Sequence, residues 1–334
     1  MKFPHLTPRM RLWARIGFFV IVVLLFVLAL HARWRDVQGS LDKLSPLDLV
    51  AATVLGFGNI FASMLGWRTL LADIGSPLPL PVAMRIFFVG QLGKYLPGSV
   101  WTVVAQADLG RDHEVQPRRT VAVSVVAMGI SLSAALGMAA ITLPFAAPGT
   151  AVHYWWMMLL LPLLVVGMMP SSVDRLTHLA LRILRREPPD HEFTWRGVVR
   201  ALGWYTVSWV SVGMQVYVLA VVLHAPSGRA LALALGGTAL AFAAGFVAIF
   251  VPAGAIVREA VLVAVLSPVL KAGPALVIAV VSRLVATVGD GVWAAVGVWV
   301  ARRHGVRPQQ QHKALKRAAK RSLSEHPVER IPRP

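Results

Sequence analysis

Long uncharged apolar segments alternate with short basic ones along the chain. Ile16–Leu30 carries no charge, and further apolar segments run near 48–71, 120–143, 154–170, 198–222 and 275–301. Each is long enough to cross a hydrocarbon core of roughly 30 Å as a helix. Backbone groups in lipid must be satisfied internally, so spans of this kind are helical. The pattern therefore predicts an all-α fold, a polytopic membrane helix bundle with about six full spans. Two more apolar stretches, about 82–108 and 231–270, are interrupted by Pro and Gly, which break helical hydrogen bonding and invite a turn. Both are predicted to be re-entrant helical hairpins.

Composition agrees with a chain that sits mostly in lipid: 57% of the 334 residues are hydrophobic and 14% are charged. The 33 Lys and Arg against 15 Asp and Glu give a net charge of +18. On so apolar a chain this points to an anionic cytoplasmic leaflet before nucleic acid. With no cysteine, disulfides, thiolate nucleophiles and Cys-ligated metals are excluded. Lys2, Arg9, Arg11 and Arg15 ahead of Ile16–Leu30 resemble a signal peptide. No small-x-small cleavage site precedes Arg33, so the segment is read as an uncleaved first span.

Short cytoplasmic loops should be rich in Lys and Arg. Arg68, Arg85, Lys94, Arg111, Arg118 and Arg119 cluster about the first interrupted stretch, and Arg175, Arg182, Arg185, Arg186, Arg196 and Arg200 fill a loop at 171–200. The segments 144–153 and 223–230 hold only Arg229 between them and read as external; the 31–47 loop, with Arg33, Arg35 and Lys43, fits least well. The predicted topology has both termini in the cytoplasm of a bacterial-type cell, and the protein multi-pass in its plasma membrane. The two hairpins then enter from opposite sides. An internal echo supports that inversion: Phe87-x-x-Gly90-x4-Tyr95-Leu96-Pro97-Gly98 matches Phe242-x-x-Gly245-x4-Phe250-Val251-Pro252-Ala253 at an offset of 155 residues. Inverted repeats with broken helices mark many transporters, and the broken tips usually form the substrate site.

Ser99 is a candidate N-cap for a helix starting inside the membrane, whose free N–H groups and dipole favour an anion. A lipid phosphate is the natural ligand. Lys94, just before the break, and Arg85, nearer the hairpin's mouth, admit two readings: headgroup contacts, or side chains that snorkel to the interface. Arg258 and Glu259 stand in a stretch, Ala230–Leu270, that is otherwise uncharged. Arg283 and Asp290 lie seven apart, on one face of the last span. Charge at such depth needs a partner or a polar cavity. The pairing expected is Glu259 with Arg283 and Arg258 with Asp290, in structural or substrate-contacting roles. Past the predicted transmembrane domain, 1–303, the tail 304–334 is basic. Lys313, Lys316, Arg317, Lys320 and Arg321 form a cationic stripe if helical, read as a disordered or leaflet-bound anchor.

Catalytic signatures are thin. His113-Glu114 and His191-Glu192 begin like zinc-protease motifs, but Pro117 and Trp195 stand where the second His belongs. Gly93-Lys94 lacks the rest of a phosphate-binding loop. No catalytic residue, metal site or cofactor is expected.

The run Arg85-Ile-Phe-Phe-Val-Gly-Gln-Leu-Gly-Lys-Tyr-Leu-Pro-Gly-Ser-Val-Trp101, with Pro252-Ala-Gly-Ala-Ile-Val-Arg-Glu-Ala260 and Arg283 in the last span, resembles the lysylphosphatidylglycerol synthetase/flippase transmembrane family over roughly 12–303. That resemblance implies a polytopic bundle with opposed re-entrant helices that binds or moves anionic or aminoacylated phospholipids or related polyprenyl lipids. The breaks and rare charges then give a candidate headgroup site at Lys94, Tyr95, Pro97, Gly98, Ser99, Arg258 and Glu259, supported by Arg85, Arg283 and Asp290. The family's second motif usually reads Pro-Gly-Gly-x-Gly before Arg-Glu; here Ala253 and Ile256 replace two glycines. With the chain ending at Pro334, no aminoacyl-transferase domain is expected, and a lipid-modifying enzyme, if one takes part, is a separate partner. Two other functions stay open. One is a non-transporting scaffold or regulator that recruits an envelope enzyme through basic loops and tail; in any of these readings the chain can form a homo-oligomer. The other is a membrane-embedded transferase using Glu259 or Asp290.

Overall fold

The structure, a computed structural model, describes residues 34–95, 100–146, 158–183, 192–247 and 256–304. The first predicted span, most of the 144–157 region and the basic tail lie outside the described residues.

Every described element is helical. Helix α1 (Trp34–Leu41) leads into α2 (Pro46–Asp73), which starts where Ser45 and Asp48 form a capping box with Pro46 in the first turn. Then come α3 (Leu80–Gln91), a 3-10 turn at Leu92–Tyr95, α4 (Trp101–Arg111) and α5 (Pro117–Thr142). Two shorter helices, α6 (Leu160–Gly167) and α7 (Pro170–Ile183), lead to α8 (Trp195–Val222). Last are α9 (Ser227–Val247), α10 (Val257–Leu266) and α11 (Ala272–Arg303).

Five described helices are long and apolar enough to cross a membrane: Pro46–Asp73, Pro117–Phe145, Trp195–Val222, Ser227–Phe246 and Ala272–Arg303. Four match predicted spans. The fifth is α9, the first part of the second interrupted stretch, so the two stretches are unequal: α3 has 12 residues and α9 has 21. The stretch at 171–200, expected as a loop, contains α7. It buries Val173 and Thr177, one turn apart, and exposes Arg175, His178 and Arg182. Asp174 anchors the chain that follows, accepting from the Phe193 N–H at 3.2 Å.

The packing repeats when the two halves are exchanged. Helices α2 and α8 lie antiparallel: Gly56 meets Gln215 at one end, and Gly66 meets Tyr205 at the other. These contacts interconvert when α2 is matched to α8 by their 28-residue ranges. Between them Ser208 Oγ donates to Asn59 Oδ1 and meets Ser63 Oγ at 2.8 Å, and Ser211 Oγ donates to the Leu55 carbonyl at 2.7 Å. Small residues admit this close approach and hydroxyls bond across it, as membrane helices do. Around the seam, α3 packs on α11 of the other half, and α9 packs on α5 in return. Each half is thus a long helix, a broken pair and a second long helix. Each broken pair also packs internally, α3 on α4 and α9 on α10. Each echoed Phe packs tilted against a Trp of its own half's long helix: Phe87 against Trp67 of α2 and Phe242 against Trp209 of α8.

Candidate functional site: a charged cluster where the two broken pairs meet α11

At the first break, Gly93 lets the 3-10 turn lie directly on the start of α4. A Cβ there would stand 2.6 Å from the Thr102 backbone nitrogen, a clash that no side-chain motion relieves. One turn earlier Gly90 receives the Gln106 side chain of α4. The crossing turns Lys94 and Tyr95 toward α11, where both reach the same oxygen of Asp290: Lys94 Nζ at 2.6 Å and Tyr95 Oη, donating, at 2.6 Å. The Asp290 side chain is 2% exposed and that of Lys94 is 35% exposed.

At the second break Ile256 precedes α10 with φ 69°, a left-handed conformation unfavourable for a β-branched residue. It places Arg258 and Glu259 in the first turn of α10. Glu259 Oε1 faces Arg283 Nε of α11 at 3.7 Å. Arg258 lies over the Phe242 ring, its guanidinium carbon 4.5 Å from the centroid, with its stem against Gly245. The echoed Phe and Gly of α9 therefore form the seat for this arginine.

The expected pairing of Glu259 with Arg283 is present. The expected pairing of Arg258 with Asp290 is corrected: Asp290 is taken by Lys94 and Tyr95, because the 3-10 turn brings hairpin one within reach of it first. Ser99 was expected to cap the second helix of hairpin one. That helix starts at Trp101, directly after Val100. Pro97, Gly98 and Ser99 lie outside the described residues, as do Pro252–Ala255. Arg85 is not in the cluster. It sits beside Gly297, whose Cβ would meet the Arg85 Cα at 3.3 Å, seven residues along α11 from Asp290.

Lys94, Arg258 and Arg283 lie within electrostatic range of one another. With Glu259 and Asp290 they make three cations against two carboxylates. Arg258 Nε and Glu259 Oε2 are both buried without a hydrogen-bond partner among the described residues. The cluster thus has an open donor and an open acceptor on adjacent residues of α10, which point about 100° apart. The same elements carry exposed apolar side chains: Leu92, Val100, Trp101 and Val104 on the first pair, and Leu284, Val288 and Val292 on α11, these last turned away from Asp290. Phe242 and Gly245 were legible only as an echo, and their role as a seat for Arg258 was not. The hydroxyl seam between α2 and α8 also went unread, although Gly56, Asn59, Ser63 and Gly66 recur at helical spacing in the sequence.

A long-helix bundle with two broken pairs and a mixed-charge cluster at their junction defines a polytopic membrane protein, all-α throughout the described residues. Within that class, the family model described as the lysylphosphatidylglycerol synthase TM region matches residues 14–317. The chain belongs to that family. No curated protein matches it.

Proposed function

We propose that the protein is flippase-like: it binds an anionic, aminoacylated or polyprenyl-type phospholipid by its headgroup between the two broken pairs and moves it between leaflets, with no covalent step. The observation that carries this reading is Arg258. Its buried Nε has no acceptor among the described residues, in a cluster with one more cation than carboxylates. Uncompensated charge within a membrane is costly, and a phosphate accepting from Arg258 removes that cost. The exposed apolar side chains of the first broken pair, such as Trp101 and Val104, suit acyl chains. Glu259 Oε2 suits an ammonium, which an aminoacylated headgroup carries.

In this reading the two broken pairs are re-entrant from opposite leaflets, the basic loops and both termini face the cytoplasm, and the membrane is a bacterial-type plasma membrane. The halves rock about the α2–α8 seam, exposing the site alternately. The ion pairs Lys94–Asp290 and Arg283–Glu259 each hold one broken pair to α11. They are the contacts that rocking exchanges.

The test is a leaflet-resolved assay of labelled phosphatidylglycerol in proteoliposomes. Wild-type protein is expected to move lipid faster than protein-free liposomes, with Lys94→Ala and Arg258→Ala at or near the protein-free rate. Movement by the wild type equal to that of empty liposomes, or unaffected by either substitution, overturns the proposal.

A further inference from the structure

The mouth of the first broken pair holds a second group of uncommitted donors. The cations of this end divide into two kinds. Arg68 Nε donates to the Leu78 carbonyl at 2.8 Å, and Arg119 Nη1 donates to the Gly75 carbonyl at 3.0 Å and to Ser76 Oγ at 2.9 Å, so both staple the 74–79 turn. Arg85 does neither. Its Nη1 is buried without a hydrogen-bond partner among the described residues, as are His113 Nε2 and Thr120 Oγ1. Thr120 is 1% exposed.

These residues gather about one turn. The Gly110 carbonyl accepts from the backbone N–H groups of His113 at 3.0 Å and Val115 at 3.1 Å, and a Cβ on Gly110 would lie 3.2 Å from Thr120 Oγ1. Arg85 comes from α3 to within electrostatic range of the His113 ring. The charged groups that face His113 are Arg85 and, from its own turn, Asp112. The nearby Asp108 faces Arg111 at 3.8 Å. Leaving several buried donors without an acceptor costs about 1–3 kcal/mol for each. An oxyanion accepts from the Arg85 guanidinium, from a hydroxyl such as that of Thr120 and from the protonated His113 ring.

We infer that Arg85, His113 and Thr120 form an outer anion site that takes a phosphate group, distinct from the cluster at Asp290. Helix α11 serves as the ruler between the two. Arg85 lies beside Gly297, and the seven residues from there to Asp290 amount to about 10 Å of helix. A headgroup reaching Lys94 and Arg258 from the basic end passes this site first. That order rests on the lipid-handling function proposed above, whereas the site itself does not. Its phosphate belongs either to a lipid headgroup or to a free phosphate ion.

Burial, and after it Arg85, holds the His113 ring below its ordinary value of 6.5. A phosphate set between His113 and Arg85 favours the charged ring, so affinity at this site rises as pH falls.

The full-length protein in detergent micelles is titrated calorimetrically with inorganic phosphate and, separately, with short-chain phosphatidylglycerol, at pH 7.5 and pH 6. Binding is expected to weaken about tenfold in Arg85→Gln and in His113→Gln, and the pH dependence is expected to shrink in His113→Gln. Because His113 sits in a turn, that variant decides the matter if Arg85→Gln folds poorly. Binding of inorganic phosphate identifies a site for the free ion; binding of the lipid alone identifies a headgroup site; either supports the inference. Affinities for both probes unchanged in His113→Gln and in a folded Arg85→Gln overturn it. If these variants lose binding while the wild type moves no lipid, the outer site stands and the lipid-moving function falls. If the wild type moves lipid and the variants bind normally, the reverse holds.

Discussion

Replacing Asp290 by Asn removes one charge at constant shape, and its cost follows from contacts already described. The 2% exposed carboxylate takes Lys94 Nζ and Tyr95 Oη on one oxygen, each at 2.6 Å. An amide oxygen can still accept from one of them, so the loss is the counter-charge of Lys94 and one charge-assisted bond. Removing one partner of a fully buried pair costs roughly 3–5 kcal/mol. Lys94 is 35% exposed, so its head can move toward the interface once unpaired and about 2 kcal/mol remains. At roughly 2–4 °C per kcal/mol, Asp290→Asn should melt about 5 °C below the wild type in detergent. Lys94→Met combined with Asp290→Asn leaves no orphan charge and should recover at least half of that loss. Thermal unfolding is followed by the decay of the monodisperse peak in size-exclusion chromatography. A double variant that loses as much as the two single variants added together refutes the coupling.

Gly245→Ala places a Cβ 2.5 Å from Arg258 Cγ and 2.8 Å from its Nε. The guanidinium must leave the Phe242 ring, so binding of anionic lipid in micelles should fall about tenfold while overpacking costs roughly 1–3 kcal/mol; unchanged binding shows that the seat is irrelevant. Ser208→Ala removes the contacts to Asn59 and Ser63. At roughly 0.6 kcal/mol for each bond between membrane helices, the melting temperature should drop by about 2–4 °C, and no drop means the seam contributes only packing. With its folded value held below 6.5, His113 contributes stability that is complete above that pH and is lost as pH falls through the folded value. The melting temperature should therefore fall between pH 7.5 and 5.5, and fall less in His113→Gln; parallel curves contradict the assignment.

Much of this arrangement was legible in the sequence because the membrane imposes simple rules. Spans announce themselves by apolar length, and the Pro and Gly at the two breaks mark where helices stop. The Phe-x-x-Gly echo announces two equivalent broken pairs. Glu259 and Arg283 could be matched because each is a rare charge in an apolar run. Asp290 was assigned the wrong partner, Arg258, because only the 3-10 turn over Gly93 brings Lys94 to it. Helix α7 was missed because it is amphipathic and charged, and a search for apolar runs passes over such a helix. The unequal arms of the hairpins were missed for a related reason: the interruption was placed correctly, but periodicity does not reveal how far α9 continues before it. The outer site went unrecognised because Arg85 is far from His113 and Thr120 in sequence, and only the packing of α3 beside α4 and the start of α5 brings them together.

The central claim is that a phosphate-bearing headgroup lies between the two broken pairs at Arg258. Its most direct test is photolabelling of the full-length protein in membranes with phosphatidylglycerol carrying a diazirine on its headgroup, followed by peptide mapping. Label on peptides containing both Lys94–Tyr95 and Arg258–Glu259, reduced about tenfold in Arg258→Gln, is the expected result. Label confined to lipid-exposed helices such as α6, and unchanged in Arg258→Gln, contradicts the account.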